Sequence, residues 1–232
     1  MTEIKTYLVG GYVRDQLLDV KSKDKDYAVE GTDFVGMREW LLESGHEIFV
    51  EKEEFGTIRA KIKGGEVVDY TLCREDGPYS DGRHPDWVST DGATIYSDLK
   101  RRDFTVNAIA IDSETGEFID PHEGQKDLKD RTLRAVGSPK ARLSEDPLRA
   151  FRAVRFAVTK EFDMDYFLIR AIDALVYDDF ESVSADRIRE ELTKAFHVDS
   201  FKTMWLISGR FPTLGRVMEH KGVWLKPTLE LR

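Results

Sequence analysis

Between Tyr7 and Gly31 the chain reads YLVGGYVRDQLLDVKSKDKDYAVEG, and the pair Gly10-Gly11 constrains the fold more than any other feature. A short apolar run, Tyr7-Leu8-Val9, stops at the glycines, and Val13 to Leu18 resumes with helical periodicity. Two glycines therefore stand between a strand and a helix N-terminus. There the backbone N–H groups lack intrahelical partners, the helix dipole is positive, and the missing side chains let an anion approach. The residues that follow, Asp24-Lys25-Asp26-Tyr27-Ala28-Val29, read as a strand that projects Asp24 and Asp26 from one face. Two adjacent carboxylates beside a phosphate cradle suit a divalent cation, Mg²⁺ first, because a cation between them relieves their repulsion. A glycine turn leading into a solvated, charged hairpin accounts for the same residues.

To about residue 136 the pattern mixes strands and helices, an α+β arrangement. Strands are expected at 6–9, 25–29, 46–50, 57–63, 66–72, 103–111 and 117–119, and helices at 11–19 and 33–44. Phe34, Met37, Trp40 and Leu41 supply the second helix with an apolar face behind a Thr32 or Asp33 cap. Gly64-Gly65 between two alternating runs signals a two-residue hairpin. In the second run Val68, Tyr70 and Leu72 share one face, and Asp69 lies on the other with Val67 and Thr71. Asp69 is then either an exposed edge residue or a third carboxylate facing Asp24 and Asp26. Residues 74–97, rich in Gly, Pro, Asp and Ser, are long for a plain connection and read as a functional or disordered loop.

From Ser138 onward helices take over, and the Gly137-Ser138-Pro139 break sets a boundary between domains at 1–137 and 138–232. Ser144-Glu145-Asp146-Pro147 reads as a helix start, followed by an apolar stripe of Leu148, Phe151, Val154 and Val158 flanked by Arg149, Arg152 and Arg155. Further helices are expected at 164–176, 184–197, 200–209 and 213–221.

The net charge of −9 argues against nucleic-acid binding by bulk electrostatics. Between Arg131 and Lys160, however, eight basic residues face only Glu145 and Asp146, so a local basic surface is available. A single cysteine, Cys73, excludes an intrachain disulfide and a Cys-based zinc site, and the five histidines lack metal-ligand spacing. No apolar run approaches the ~18 residues that span a bilayer, and the first residues do not open a signal peptide, so a cytoplasmic protein with no membrane partner is expected.

Taken in order, LVGGYVRDQLL, DKD, VDYTLCR, DGRHPDWV, DLKRRDFTVNAIA, IDPHEGQKDLKDRTLR and EDPLRAFRAVRFA resemble the class II tRNA nucleotidyltransferase family, the CCA-adding enzymes and bacterial poly(A) polymerases. The resemblance covers about residues 5–160, and SADRIREELTKAF at 184–196 follows it more loosely. It implies a polymerase-beta-type head with a mixed sheet, 1–137, and an all-helical neck, 138–232, that selects bases and binds RNA. The implied activity is template-independent, Mg²⁺-dependent addition of C and A to the 3′ end of tRNA from CTP and ATP. Asp24 and Asp26 would hold the metals and Asp69 would be a third catalytic carboxylate. Gly10, Gly11 and Arg14 would contact the triphosphate, and Arg101, Arg102, Asp103 and Asn107 the sugar and phosphates. Gly124 and Asp127 fall in a segment regarded as a hinge, where glycine permits unusual backbone angles.

Asp146 and Arg149 match the family's amino-acid template for the incoming base, with Arg152 and Arg155 next for triphosphate or RNA backbone. A carboxylate accepts and a guanidinium donates, which suits the amino group and adjacent unprotonated ring nitrogen shared by cytosine and adenine; uracil and guanine reverse that pattern. An N-cap Asp before Pro147 with a solvated Arg149 reads these two residues equally simply. Competing activities are a poly(A) polymerase, an A-only or C-only adder, and an inactive RNA- or nucleotide-binding module. Family members usually continue into helical body and tail domains, so weak RNA affinity, a homodimer or an accessory RNA-binding partner is expected here.

Overall fold

The structure is a computed structural model that describes residues 3–22, 24–62, 64–80 and 84–223. The described residues of 1–77 and 86–130 form one compact unit, and those of 78–85 and 131–232 form a second. The division falls at Asp130/Arg131, ahead of the glycine break at 137, because Thr132-Leu133 already pairs with a strand of the second unit.

The first unit runs β1 (Lys5–Val9), α1 (Gly11–Leu17), β2 (Asp26–Glu30), α2 (Phe34–Glu43), β3 (Glu47–Lys52), β4 (Thr57–Lys61), β5 (Val67–Leu72), β6 (Glu75–Asp76), β7 (Val88–Ser89), α3 (Ile95–Lys100), β8 (Ala110–Asp112), β9 (Phe118–Ile119) and α4 (Gly124–Lys129). Seven strands make one mixed sheet in the order β3-β4-β5-β2-β1-β8-β9, with β2 and β5 parallel and the other neighbours antiparallel. The α2 helix starts where the Asp33 carboxylate accepts the Gly36 N–H at 2.8 Å. Its Met37 and Leu41 are fully buried with Val29, Ile58, Ala60, Val68, Tyr70 and Leu72 of the sheet, the alternation expected of β5. Tyr27 and Tyr70 stack at 5.1 Å on neighbouring strands.

Two local expectations fail here. The β4–β5 hairpin forms, but Arg59 lies opposite Asp69 and Ile62 N–H bonds Glu66 O, so the turn is one residue longer than a two-residue connection. Residues 103–111 are not one strand. Asp103 Oδ1 accepts from its neighbour's N–H, Phe104, and from Asn107 Nδ2, and the chain takes a 3₁₀ turn at Thr105–Asn107 before β8. Within 74–97, β6 and β7 pair and α3 begins at Ile95; residues 81–83, and with them part of DGRHPDWV, lie outside the described residues, as does Lys63.

The second unit contains β10 (Thr132–Leu133), α5 (Pro139–Glu145), α6 (Leu148–Thr159), β11 (Asp163–Met164), α7 (Tyr166–Asp173), α8 (Ala185–Phe196), α9 (Ser200–Met204), a π-helical turn at Trp205–Arg210, and α10 (Pro212–His220). It is helical apart from the parallel β10–β11 pair. The predicted stripe Leu148, Phe151, Val154 and Val158 is buried, and Phe151 meets Phe180 edge-on at 5.7 Å. Ser144 and Glu145 end α5 rather than start α6: Ser138 caps α5 with Pro139 in its first turn, and Asp146 is extended between the two helices. No helix among the described residues is long and apolar enough to cross a membrane.

Candidate active site

In the first unit the candidate residues gather at one end of the sheet. Val9, the last residue of β1, is the register partner of Asp26, so the chain passes from beside that carboxylate directly into Gly10-Gly11. Gly10 has φ +72° and ψ −134°, a conformation that disfavours any side chain. A Cβ there would lie 3.1 Å from Arg102 Nη1 and 4.0 Å from Asp26 Oδ2. The glycine turn, an arginine and a carboxylate thus meet within one small space.

Asp26 opens β2, whereas Asp24 precedes the strand, and both are exposed; the expected strand does not hold both. Lys25, between them, turns to Glu66 at 2.8 Å. On the other side of Asp26, β5 places Asp69 directly opposite in the parallel ladder. Because β5 is flanked by β4 and β2, Asp69 is not an edge residue. The Asp26 carboxyl is held above the ordinary carboxylate range, first by loss of solvation, then by repulsion from Asp69; Asp24 adds to this while Arg102 and Arg59 oppose it. Among the described residues no three His, Cys, Asp or Glu side chains converge as a ready metal cage. A pair of hard carboxylate donors, under-compensated for charge and beside the glycine turn, nevertheless fits a divalent cation that completes its coordination with water and phosphate oxygens.

The arginines of the site are fixed from below. Asp98, 2% exposed, accepts from Arg101 Nη2 at 2.5 Å through one oxygen and from Arg102 Nη2 at 2.9 Å through the other. Arg102 also donates to the Asn107 carbonyl at 3.2 Å. Asn107 Oδ1 accepts from Arg14 Nη1 at 2.7 Å and its Nδ2 donates to Asp103, so Asn107 and Asp103 form a buried chain that orients Arg14. Gly124 and Asp127 also act through packing. A Cβ on Gly124 would lie 2.2 Å from the Thr105 carbonyl, Asp127 accepts from Thr105 Oγ1 at 2.7 Å, and the positive φ belongs to Glu123.

In the second unit Asp146 and Arg149 are each engaged with a different partner. Asp146 Oδ1 accepts the Leu148 N–H at 3.1 Å, and its Oδ2 accepts from Arg187 at 2.7 Å. Arg149 donates to Glu145 at 2.6 Å and to the Arg142 carbonyl at 2.8 Å. Buried Glu191 on α8 takes Arg152 at 3.2 Å and, more tightly, Arg155, whose guanidinium lies 4.1 Å from the Phe156 ring. Asp98, Arg59, Arg187 and Glu191 hold candidate site residues in place, and sequence reasoning did not single them out. For Asp98 the available signal was spacing: it lies in the last turn of α3, four residues before Arg102, which stands just past the helix end.

One end of the sheet thus combines a glycine turn, paired carboxylates and braced arginines. Residues 6–134 match the poly A polymerase head domain. The CCA-adding enzyme of Lactobacillus helveticus is 37% identical over 193 residues, 82% of this chain and 45% of that protein. Among solved structures, the Bacillus stearothermophilus CCA-adding enzyme in complex with CTP matches with a TM-score of 0.76 at 28% identity, over 93% of this chain and 52% of that one. A tRNA nucleotidyltransferase complexed with a primer tRNA and an incoming ATP analog gives 0.73 at 30% identity, over 93% and 60%. The chain spans about half the length of these relatives. It belongs to the poly A polymerase head domain family.

Proposed function

We propose that this chain is a template-independent RNA nucleotidyltransferase that adds C and A, building CCA, to the 3′ end of tRNA from CTP and ATP, in the cytoplasm. The observation that carries the reading is the meeting of Gly10, Arg102 and Asp26 beside Asp69. It puts an anion-accepting turn and a fixed guanidinium next to carboxylates, as transfer of a nucleotidyl group requires. The relatives' complexes with CTP, and with primer tRNA and an ATP analog, support the same substrates.

In the reaction the RNA 3′-hydroxyl oxygen bonds the α-phosphorus as the α–β bridging bond breaks and pyrophosphate leaves. Asp24 and Asp26 would hold Mg²⁺, which when bound lowers the pKa of the attacking hydroxyl and neutralises charge on the leaving group. Arg102, braced by Asp98, and the N–H groups at the start of α1 would bind phosphate oxygens. Asp146 and Arg149 bring the two complementary roles that base reading needs, since a carboxylate accepts and a guanidinium donates. Asp146 accepts from the base amino group and Arg149 donates to the ring nitrogen, so cytosine and adenine are taken and uracil and guanine leave polar groups unmatched.

Asp24→Ala tests the assignment. It is expected to abolish incorporation of CTP and ATP while circular dichroism and the thermal midpoint stay close to wild type, because Asp24 is exposed and outside the strand. Retained incorporation would show that the metal carboxylates lie elsewhere.

A further inference from the structure

Arg59 belongs to none of the motifs that carry the family likeness, yet it holds the carboxylate beside Asp26. In the β4–β5 ladder Arg59 lies directly opposite Asp69. Its guanidinium takes that carboxylate as a fork, Nε donating to Oδ1 at 2.7 Å and Nη2 to Oδ2 at 2.6 Å. In the next ladder Asp69 lies opposite Asp26. Register partners share a face, and neighbouring strands are about 4.8 Å apart, so Arg59, Asp69 and Asp26 make one row across three strands. Of the other cations nearby, Lys25 is paired with Glu66, and Arg102, braced by Asp98 and the Asn107 carbonyl, faces Asp26 from the glycine turn and leaves Asp69 to Arg59. The Arg59 side chain is 55% exposed, so it is free to swing without disturbing the core.

We infer that Arg59 is the counter-ion of Asp69 in the metal-free carboxylate row: it positions Asp69 and supplies positive charge that a divalent cation would otherwise supply, so guanidinium and cation compete for the row. The inference rests on the metal reading proposed above. With Arg59 in place, repulsion between Asp26 and Asp69 is damped in the empty site and cation affinity is lowered. Without it the empty row is strained and the cation binds more tightly.

The test uses Mn²⁺ as probe on the whole chain, measuring free Mn²⁺ by electron paramagnetic resonance and melting temperature with and without the ion. Arg59→Gln is expected to bind Mn²⁺ roughly three- to tenfold more tightly than wild type. It should melt lower without metal and show a larger Mn²⁺-induced rise. Arg59→Lys, a point charge without the fork, should fall between. Equal or weaker Mn²⁺ binding by Arg59→Gln overturns the inference and leaves the metal reading standing. Absence of Mn²⁺ binding by wild type, or binding unaffected by Asp24→Asn, overturns both.

Discussion

Asp26 and Asp69 stand directly opposite one another in the parallel ladder between β2 and β5. Loss of solvation and then the Asp69 charge raise the Asp26 carboxyl above its ordinary range. A carboxyl whose pKa is higher folded than unfolded binds protons more tightly in the native state, so stability declines as pH rises from the unfolded value through the raised one, and the penalty is complete above it. Asp26→Asn should therefore raise the thermal midpoint of the metal-free protein at neutral pH and lose that advantage on acidification. The same variant should lose at least about a hundredfold in incorporation. Thermal scans in chelator across the acid-to-neutral range check the first part; a lower midpoint at neutral pH would contradict it.

Asp98 behaves oppositely. Burial by itself would raise its pKa, but Arg102 and Arg101 outweigh burial and hold it below the usual carboxylate value. Its stabilising contribution is present above the ordinary carboxylate range and is lost only as pH falls through the lowered pKa. Asp98→Ala leaves two part-buried guanidinium groups without their shared acceptor and should cost about 3–5 kcal/mol in denaturant unfolding. A loss under about 1 kcal/mol would mean that the arginines are held by other contacts.

Gly10→Ala places a methyl group at φ +72° and 3.1 Å from Arg102 Nη1. The backbone conformation alone should cost about 1–3 kcal/mol. Because Arg102 must move to admit the methyl group, KM for the nucleotide should rise more than stability loss explains, measured at a temperature where the variant is fully folded. An unchanged KM would separate Gly10 from the triphosphate.

Much of this site was legible because its parts are local. Gly10-Gly11 marked the strand-to-helix turn, the alternation of Val68, Tyr70 and Leu72 put Asp69 on the opposite face, and a cap at Thr32 or Asp33, which the structure assigns to Asp33, marked the start of α2. What escaped depends on register or on side chains that redirect backbone. A two-residue Gly64-Gly65 turn would pair Arg59 with Tyr70; the longer turn pairs it with Asp69, and that one-residue shift creates the ion pair. The run 103–111 alternates like a strand, but Asp103 bonds the next N–H and the Asn107 amide, favouring a turn over a ladder. In the second unit, Arg187 reaches Asp146 across 41 positions and Glu191 reaches Arg152 across 39, distances at which single-sequence periodicity carries no signal.

Arg149→Ala should blur base choice. Losing the donor to the ring nitrogen removes about 1–3 kcal/mol of discrimination, so the preference for CTP and ATP over UTP and GTP should fall about ten- to a hundredfold in kcat/KM ratios. Glu145→Gln, which alters the Arg149 partner but keeps the guanidinium, should fall less. Unchanged ratios in Arg149→Ala would refute the base-reading role.

The central claim is tested most directly by end-extension of tRNA transcripts that stop before CCA, after C and after CC, with Mg²⁺ and each nucleotide supplied singly and together. The account predicts that CTP alone extends the first two only as far as CC, that ATP alone extends the third by one residue, and that the mixture stops at CCA. Long A tails, addition of only one nucleotide type across all three transcripts, or no extension by the folded protein would contradict it.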